Sequence, residues 1–461
     1  MTQIPNRFVG LHSHTTFSTN DAIGTPAEHN DFALKNGMDA LALTDHGNMC
    51  GYSHQQVHAG KLAKKGIKFK ALPGMEAYYI PDLVQWRQMY DAAKASGELA
   101  PKRKVQIPLP GNELSRTEDE LEESANSQSG QEAHSLGALP GQPDDEGGTV
   151  VEDETESKSG NAKYRNPIKA RSHLVLLAKN STGLKSLFQI ASDAAADGSY
   201  GGFPRVDLAS LRKHANGNII ASSACVAGAL ARIVFDHQTE PDWELWHPNK
   251  VNFELIQTKL AEAISGFQEA LGPENYYAEI QWNRLPAQHL VNMHLMEASR
   301  RTGVPLIVTV DAHYSNPLHW REREIYKALA WQNKGGTLDG LPETVAELKC
   351  ELYPKNAEQV WESYKRYSEP YPGLYDDEVV KNAIERTHDI AHHQIGDPQA
   401  DRSVKLPALA KLIPEDDIVR IRKALETEGL STDEESIAFR DLRELAVQGL
   451  KWRGKLGQEY I

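Results

Sequence analysis

Between residue 6 and about residue 80 the apolar positions switch between short continuous runs and helical spacing. "RFVGLHSH" and "DALALTDHG" read as strands, the second ending in polar residues, and "IKFKALPGMEAYY" holds a third. Between them, "PAEHNDFALKNG" has Pro26 near its start and Gly37 at its end, as a helix prefers, and "YSHQQVHAGKLAKKG" is a helix stopped by Gly66. This alternation predicts parallel strands joined by crossover helices, an α/β fold. The rhythm returns later. "ARSHLVLLAKNSTGLKSLFQIASDAAADG" is strand then helix, with Ser181 or Thr182 as the expected N-cap, and "GNIIASSACVAGALARIV" is strand, tight turn, helix. "ENYYAEIQW" is a strand, "AQHLVNMHLMEASRRTG" an amphipathic helix, and "VPLIVTVDAHYSN" another strand. After residue 325 the pattern turns helical and polar, which places a boundary near residue 330.

The expected organisation is therefore a first barrel part over 1–105, an insertion over 106–163, a second barrel part over 164–330 and a mainly helical connector over 331–461. The insertion loses all periodicity and fills with Glu, Asp, Ser, Gly and Pro, which cannot bury enough apolar surface to offset ordering the chain. It reads as a disordered acidic loop. Its residues 111–160 hold 14 acidic and 2 basic side chains, a balance of −12 out of the chain's −14, so the remainder is close to neutral. Whole-chain charge is thus no argument against a nucleic-acid partner, because a neutral body can hold a local basic groove and metal ions would add charge.

Length and composition, 461 residues with 25% charged and 40% hydrophobic, are those of a soluble chain of two or three domains. No apolar run approaches the roughly 18 residues of a membrane span, and "MTQIPNRF" has no signal-peptide pattern. Cys50, Cys225 and Cys350 are three widely spaced cysteines with no disulfide framework, which points to the reducing cytoplasm.

In parallel α/β folds ligands bind at the carboxyl ends of the strands. Those ends carry His12 and His14, with Asp21 in the loop that follows; Asp45 and His46; Glu76; Cys225; and Asp311 with His313. His12 and His14, like Asp311 and His313, are two apart and so share a face of an extended chain. His173 joins the set from a strand start, the weakest fit. Singly, His173 fits a satisfied core histidine, Cys225 a small buried residue and Glu76 a turn cap; Asp45 fits a supporting hydrogen bond to a loop or to a ligating histidine. Together, clustered carboxylates and imidazoles repel or go unsatisfied without cations. Five imidazoles, three carboxylates and one thiolate could serve two or three divalent ions, with zinc, manganese or iron suited better than magnesium.

"HSH", Asp21, "LTDHGN", "GMEAY", "SHLVLLAKN", "SSAC" and "VDAH", in that order, resemble the PHP (polymerase and histidinol phosphatase) family. The resemblance implies a distorted (β/α)7 barrel with nine metal ligands at its rim: His12, His14, Asp21, His46, Glu76, His173, Cys225, Asp311 and His313. Asp311, His313 and His14 are the residues expected to carry catalysis. "GLHSHTTFSTNDAIG", "LYPKNAEQVWESY", "DDEVVKNAIERTHDIA" and "VKLPAL" are similar to the bacterial C-family replicative polymerase III alpha subunit, as its PHP domain runs toward the palm. The palm's "GPGRGS"-type loop and "PDxDxDF"-type aspartates are absent, so this chain alone is not expected to polymerise DNA. The resemblance implies metal-dependent phosphodiester hydrolysis, as a 3′-to-5′ proofreading exonuclease on a DNA 3′ end, with palm and fingers on a separate chain or a missing part. The alternatives are a metal-stabilised scaffold that docks the polymerase half, and a free-standing phosphatase. A full ligand set argues against the first, and a polymerase-like connector against the second.

Overall fold

The computed structural model describes residues 3–97, 99, 167–237, 252–330, 338, 340–400 and 413–452. The acidic insertion expected over 106–163 lies outside them. By contacts the chain divides into Met1–Ala400 and Asp401–Ile461.

The first unit contains all the strands found among the described residues: β1 Ala40–Leu43, β2 Lys70–Tyr79, β3 Ser172–Ala178, β4 Ser199–Tyr200, β5 Phe203–Val206, β6 Ile219–Ser222, β7 Tyr276–Ile280 and β8 Leu306–Val308. Its helices are α1 Pro26–Lys35, α2 Cys50–Lys64, α3 Leu83–Ala95, α4 Ser181–Asp197, α5 Leu208–His214, α6 Ala229–His237, α7 Phe253–Leu271, α8 Pro286–Thr302, α9 Trp320–Ala330, α10 Ala357–Ser368 and α11 Asp377–Asp389. A π-helical turn, Ile390–Gln394, continues α11. The second unit holds α12 Glu415–Thr427 and α13 Glu434–Trp452 around Ile413, Ile421, Leu425 and Ile437.

The main ladder runs β1-β2-β3-β6-β7-β8, with β5 and then β4 attached to the end of β2. The stretch expected as the first strand, around "RFVGLHSH", is extended but pairs only through isolated parallel bridges, Gly10 to Leu41 and Ser13 to Ala312. Those two bridges join the first strand to the segment after the last and close the ladder into a barrel. The expectation of parallel strands fails at two places: the short β4–β5 pair is antiparallel, and, within the main ladder, β3 is antiparallel to both β2 and β6. Its start therefore lies at the rim where the neighbouring strands end.

Side chains alternate across the wall with period two. Ala40, Ala42, Leu72, Val175, Leu177, Ile220, Tyr277 and Ile307 form the inner core. Leu41, Leu43, Leu174, Leu176, Ile219, Ala278 and Val308 face the other way, into the layer shared with the helices. One end of the inner core is covered by Ile390, Ala391 and Ile395 of the π turn and its exit.

Local signals explain most helix ends. Thr25 and Glu28 make a reciprocal capping box at α1. Gly66, at φ 79°, follows α2 in the left-handed region. The cap of α4 is Asn180, whose side chain accepts from Gly183 N, and not Ser181 or Thr182. Asparagine serves this role as well as serine does, and one residue earlier in the chain it leaves both hydroxyl residues inside the first turn. The expected boundary near 330 does not divide the contacts: α10 and α11 give Ala357, Val360, Trp361, Val380, Ala383 and Ile384 to the outer core of the barrel unit.

Candidate metal centre

Toward one rim the inner face changes from apolar to polar without changing register. On β2 the inward row runs from Leu72 to Glu76; on β3, Val175 gives way to His173; on β6, Ile220 to Ser222; on β7, Tyr277 to Glu279; and beyond β8, Ile307 to Thr309 and Asp311. All six polar side chains are buried. The same register that builds the core thus delivers the chemistry. Because β3 is reversed, His173 reaches this rim from a strand start.

The donor atoms converge tightly. His12 Nε2 lies 3.1 Å from His14 Nε2, 3.1 Å from Asp311 Oδ1 and 3.2 Å from Glu76 Oε1. His14 Nε2 is 3.2 Å from Asp311 Oδ1. Glu76 sits between two halves: Oε1 is 3.0 Å from His173 Nδ1, and Oε2 is 2.7 Å from His46 Nδ1. Asp21 Oδ2 stands 3.2 Å from His46 Nε2 and 3.3 Å from His313 Nε2. Cys225 is buried at the margin, its Sγ 3.8 Å from His173 Nδ1 and accepting from Ala227 N. The structure therefore brings all nine expected residues together, with Cys225 outermost.

The rings are aimed by their other nitrogens. His12 Nδ1 donates to Glu279 Oε1 at 2.8 Å, and His313 Nδ1 to the Asp311 carbonyl at 2.8 Å. His14 Nδ1 lies 3.1 Å from Ser18 Oγ, whose own hydroxyl donates to Asp45 Oδ1 at 2.8 Å. Asp45 also accepts from Thr15 N at 2.7 Å, so its supporting role is to hold the Thr15–Ser18 loop behind His14. Gly51 makes room for it: a Cβ there would lie 2.1 Å from Asp45 Oδ2. In each of these three histidines the tautomer set by the partner leaves Nε2 facing the centre.

Two partners escaped the sequence reading. Glu279 accepts from His12, from Ser222 Oγ at 2.5 Å, from Gln281 Nε2 at 3.1 Å and from Thr309 Oγ1. Fully buried Arg323 grips Asp21, donating Nε to its carbonyl at 2.7 Å and Nη2 to its Oδ1. Inward parity with Tyr277 was the one signal available for Glu279; Arg323, on α9, had none.

Charge is strongly redistributed. Burial works against protonated His12, but Asp311, Glu279 and Glu76 hold its pKa well above the ordinary value. Burial and the neighbouring His46 and His313 push His14 well below. Burial lifts the Asp311 carboxyl to about 6 against the pull of His12 and His313. His313 overcomes its burial through Asp21 and Asp311 and rises to about 9. Without cations, protons on His12 and His313 are what holds the carboxylates together.

Those protons leave the cluster incomplete. Both Glu76 oxygens, Asp311 Oδ1 and His313 Nε2 are buried and lack a hydrogen-bond partner of proper geometry. Three triads have ligand atoms within 4.8 Å of one another: His12–His14–Asp311, His14–His46–His313 and His46–Glu76–His173. They overlap through His14 and His46. A donor set of imidazole nitrogens and carboxylate oxygens in overlapping triads fits adjacent divalent cations.

A closed mixed barrel with this polar rim defines the class of protein. The chain belongs to the PHP domain family, whose model matches residues 10–283. Among curated proteins it is similar to DNA polymerase III subunit alpha. The Mycobacterium tuberculosis protein is 26% identical over 308 residues, covering 67% of this chain and 19% of that relative. The Thermus aquaticus protein is 33% identical over 188 residues, covering 41% of this chain and 13% of that relative. The chain thus spans about a fifth or less of the length of these curated relatives. A solved amidohydrolase from Chromobacterium violaceum aligns at 16% identity with a TM-score of 0.26, covering 69% of this chain and 96% of that one. No described helix is long and apolar enough to cross a membrane.

Proposed function

We propose that this chain is the PHP module of a bacterial-type replicative DNA polymerase III alpha subunit, and that it hydrolyses phosphodiesters at a DNA 3′ end, as a 3′-to-5′ exonuclease. The observation that carries the reading is the run of three overlapping donor triads around the buried Glu76 and Asp311 oxygens, whose neighbours are the imidazoles of the same cluster. Two or three divalent cations roughly 3.5–4 Å apart would neutralise a phosphodiester and acidify the attacking water. His12, His14, Asp21, His46, Glu76, His173, Cys225, Asp311 and His313 would hold them. Asp311 and His313 would carry catalysis as ligands, by positioning the ions that activate the attacking water, and His14, shared by two triads, would fix the spacing between those ions. Glu279 and Asp45 keep His12 and His14 oriented. A frayed or mismatched end is the favoured substrate, because a paired terminus must first be unstacked at a cost of a few kcal/mol.

The burial of the cluster favours a second reading, a metal-stabilised scaffold that docks a polymerase palm. His12, His14 and His313 have no exposed side-chain surface, whereas Asp21 keeps 13% and His46 7%. Any substrate phosphate must approach along the Asp21–His46 edge. The deciding measurement compares wild type with Asp311→Asn, purified side by side, on single-stranded and 3′-mismatched primers with Mn²⁺ or Zn²⁺. Nucleotide release that disappears in the variant and with chelator supports the nuclease. Equal degradation by both exposes a contaminant, and no degradation with metal demonstrably bound and a palm-bearing partner present establishes the scaffold.

A further inference from the structure

We propose a second, separate metal site at the opposite end of the barrel, formed by Asp39, His388 and His392, that takes one borderline transition-metal ion such as Zn²⁺. Asp39 immediately precedes β1, at the end of the strand away from His46. His388 closes α11, and His392 lies four residues on, in the π turn. That spacing brings the two imidazoles together in a tilted pair, with centroids 4.3 Å apart and planes inclined by 38°. His392 Nε2 approaches Asp39 Oδ1 to 3.1 Å, and one ligand atom from each of the three residues lies within 4.8 Å of the others.

A surface ion pair between His392 and Asp39 would explain only part of this. It leaves His388 Nδ1 buried without a hydrogen-bond partner. It also leaves two imidazoles packed against each other with nothing between their nitrogens to account for the pairing. Two imidazole nitrogens and a carboxylate are a donor set for zinc or its neighbours in the first transition row, and a poor one for magnesium or calcium, which prefer oxygen.

The mounting is rigid. Lys70 N donates to the Asp39 carbonyl at 2.8 Å, beside the start of β1. The π turn is seated by Ile390, Ala391 and Ile395 in the inner core. The nearby cations are occupied: Lys70 Nζ donates to the carbonyls of Ala391 at 2.6 Å and Ile395 at 2.5 Å, and Arg7 pairs with Asp389 at 3.3 Å. Arg7 nevertheless lies close enough for its charge to act on His388. A π turn is rare inside helices and occurs often at functional positions. Here it sets His392 beside His388 while the same turn seals the barrel. An ion at this place would tie the first strand to the helix that follows the barrel.

The test is residue-resolved histidine carbethoxylation of the whole chain, read by peptide mass spectrometry, with and without Zn²⁺. Wild type and Asp311→Asn should both show at least tenfold slower modification of the His388–His392 peptide in Zn²⁺, because this site does not depend on the rim. Asp39→Asn, which keeps the shape of the side chain, should lose most of that protection. Equilibrium dialysis should find one fewer Zn²⁺ equivalent in His388→Ala and His392→Ala than in wild type, with circular dichroism confirming that the variants are folded. A peptide modified equally fast with and without Zn²⁺, or protection that survives Asp39→Asn unchanged, overturns the proposal.

Discussion

Glu279 offers the sharpest test of how the rim is built. Its Oε1 accepts from His12, Thr309 and Gln281, and its Oε2 from Ser222. Glu279→Ala would strand these buried donors at about 1–3 kcal/mol each. Summed, that rivals the ~5–15 kcal/mol that holds a typical domain together, so the alanine variant would report only on folding. Glu279→Gln is the informative change. Its amide oxygen can take the place of Oε1 and keep three partners, while its NH₂ faces the Ser222 hydroxyl, which can rotate to accept. What is lost is charge. The His12 contact falls from a charge-assisted bond of about 1.5–3 kcal/mol to a neutral one of about 0.5–1.5 kcal/mol, so stability should drop by on the order of 1 kcal/mol. The larger effect is on metal. A carboxylate behind a ligating imidazole fixes its orientation and raises its basicity, and removing it typically costs about 10–100-fold in affinity. Equilibrium dialysis with elemental analysis, alongside denaturant titration of the metal-free chain, would measure both. A Glu279→Gln chain with wild-type metal affinity at the rim and wild-type stability would refute this account of His12.

Asp311→Asn should lower rim metal occupancy and abolish hydrolysis while leaving the apolar core intact, read as an unchanged urea m-value, since the inner core is carried by Leu72, Val175, Ile220, Tyr277 and Ile307. Arg323→Met should cost about 3–5 kcal/mol in denaturant unfolding, because it leaves the Asp21 carboxylate without its buried guanidinium partner; Asp21→Asn in the same background should recover part of that loss. His29, His289 and His294 are each held at about 4, chiefly by burial. Their folded pKa lies below the unfolded value of about 6.5, so the unfolded chain binds more protons between these limits. Stability that is complete above pH 6.5 should fall as pH drops toward 4, by up to ~3 kcal/mol per histidine; a flat unfolding free energy across that window would contradict the burial.

The rim was legible in the sequence because its candidate ligands come in short-range patterns. His12 with His14 and Asp311 with His313 share a face at spacing two, Asp45–His46 follows the end of β1, and Glu76 lies on β2 toward the rim. His173 looked the poorest member because strand direction cannot be read from an apolar run; only the antiparallel register of β3 shows why a strand start reaches the rim. Glu279 is a lone acidic residue in "YYAEIQW", and nothing local separates an inward carboxylate from a solvated one. Arg323 lies about 300 positions from the aspartate it holds, a separation no periodicity spans. The break expected near residue 330 followed a change in composition, yet Trp361 and Tyr364 show that a polar helix pattern can still carry one apolar stripe onto the barrel.

The closing bridges also set an order of events during synthesis. Gly10 can meet Leu41 early, but Ser13 pairs with Ala312, roughly 300 residues later. At ~5–20 residues per second, a ribosome takes tens of seconds to make that stretch. Throughout that interval His12, His14, His46, Glu76 and then His173 exist on a nascent chain whose wall is still open between its first and last staves. The donors from Asp311 and His313 arrive last, with the residue that shuts the seam. The complete donor set that would hold cations is therefore assembled only late in maturation, when the closing segment joins the early imidazoles.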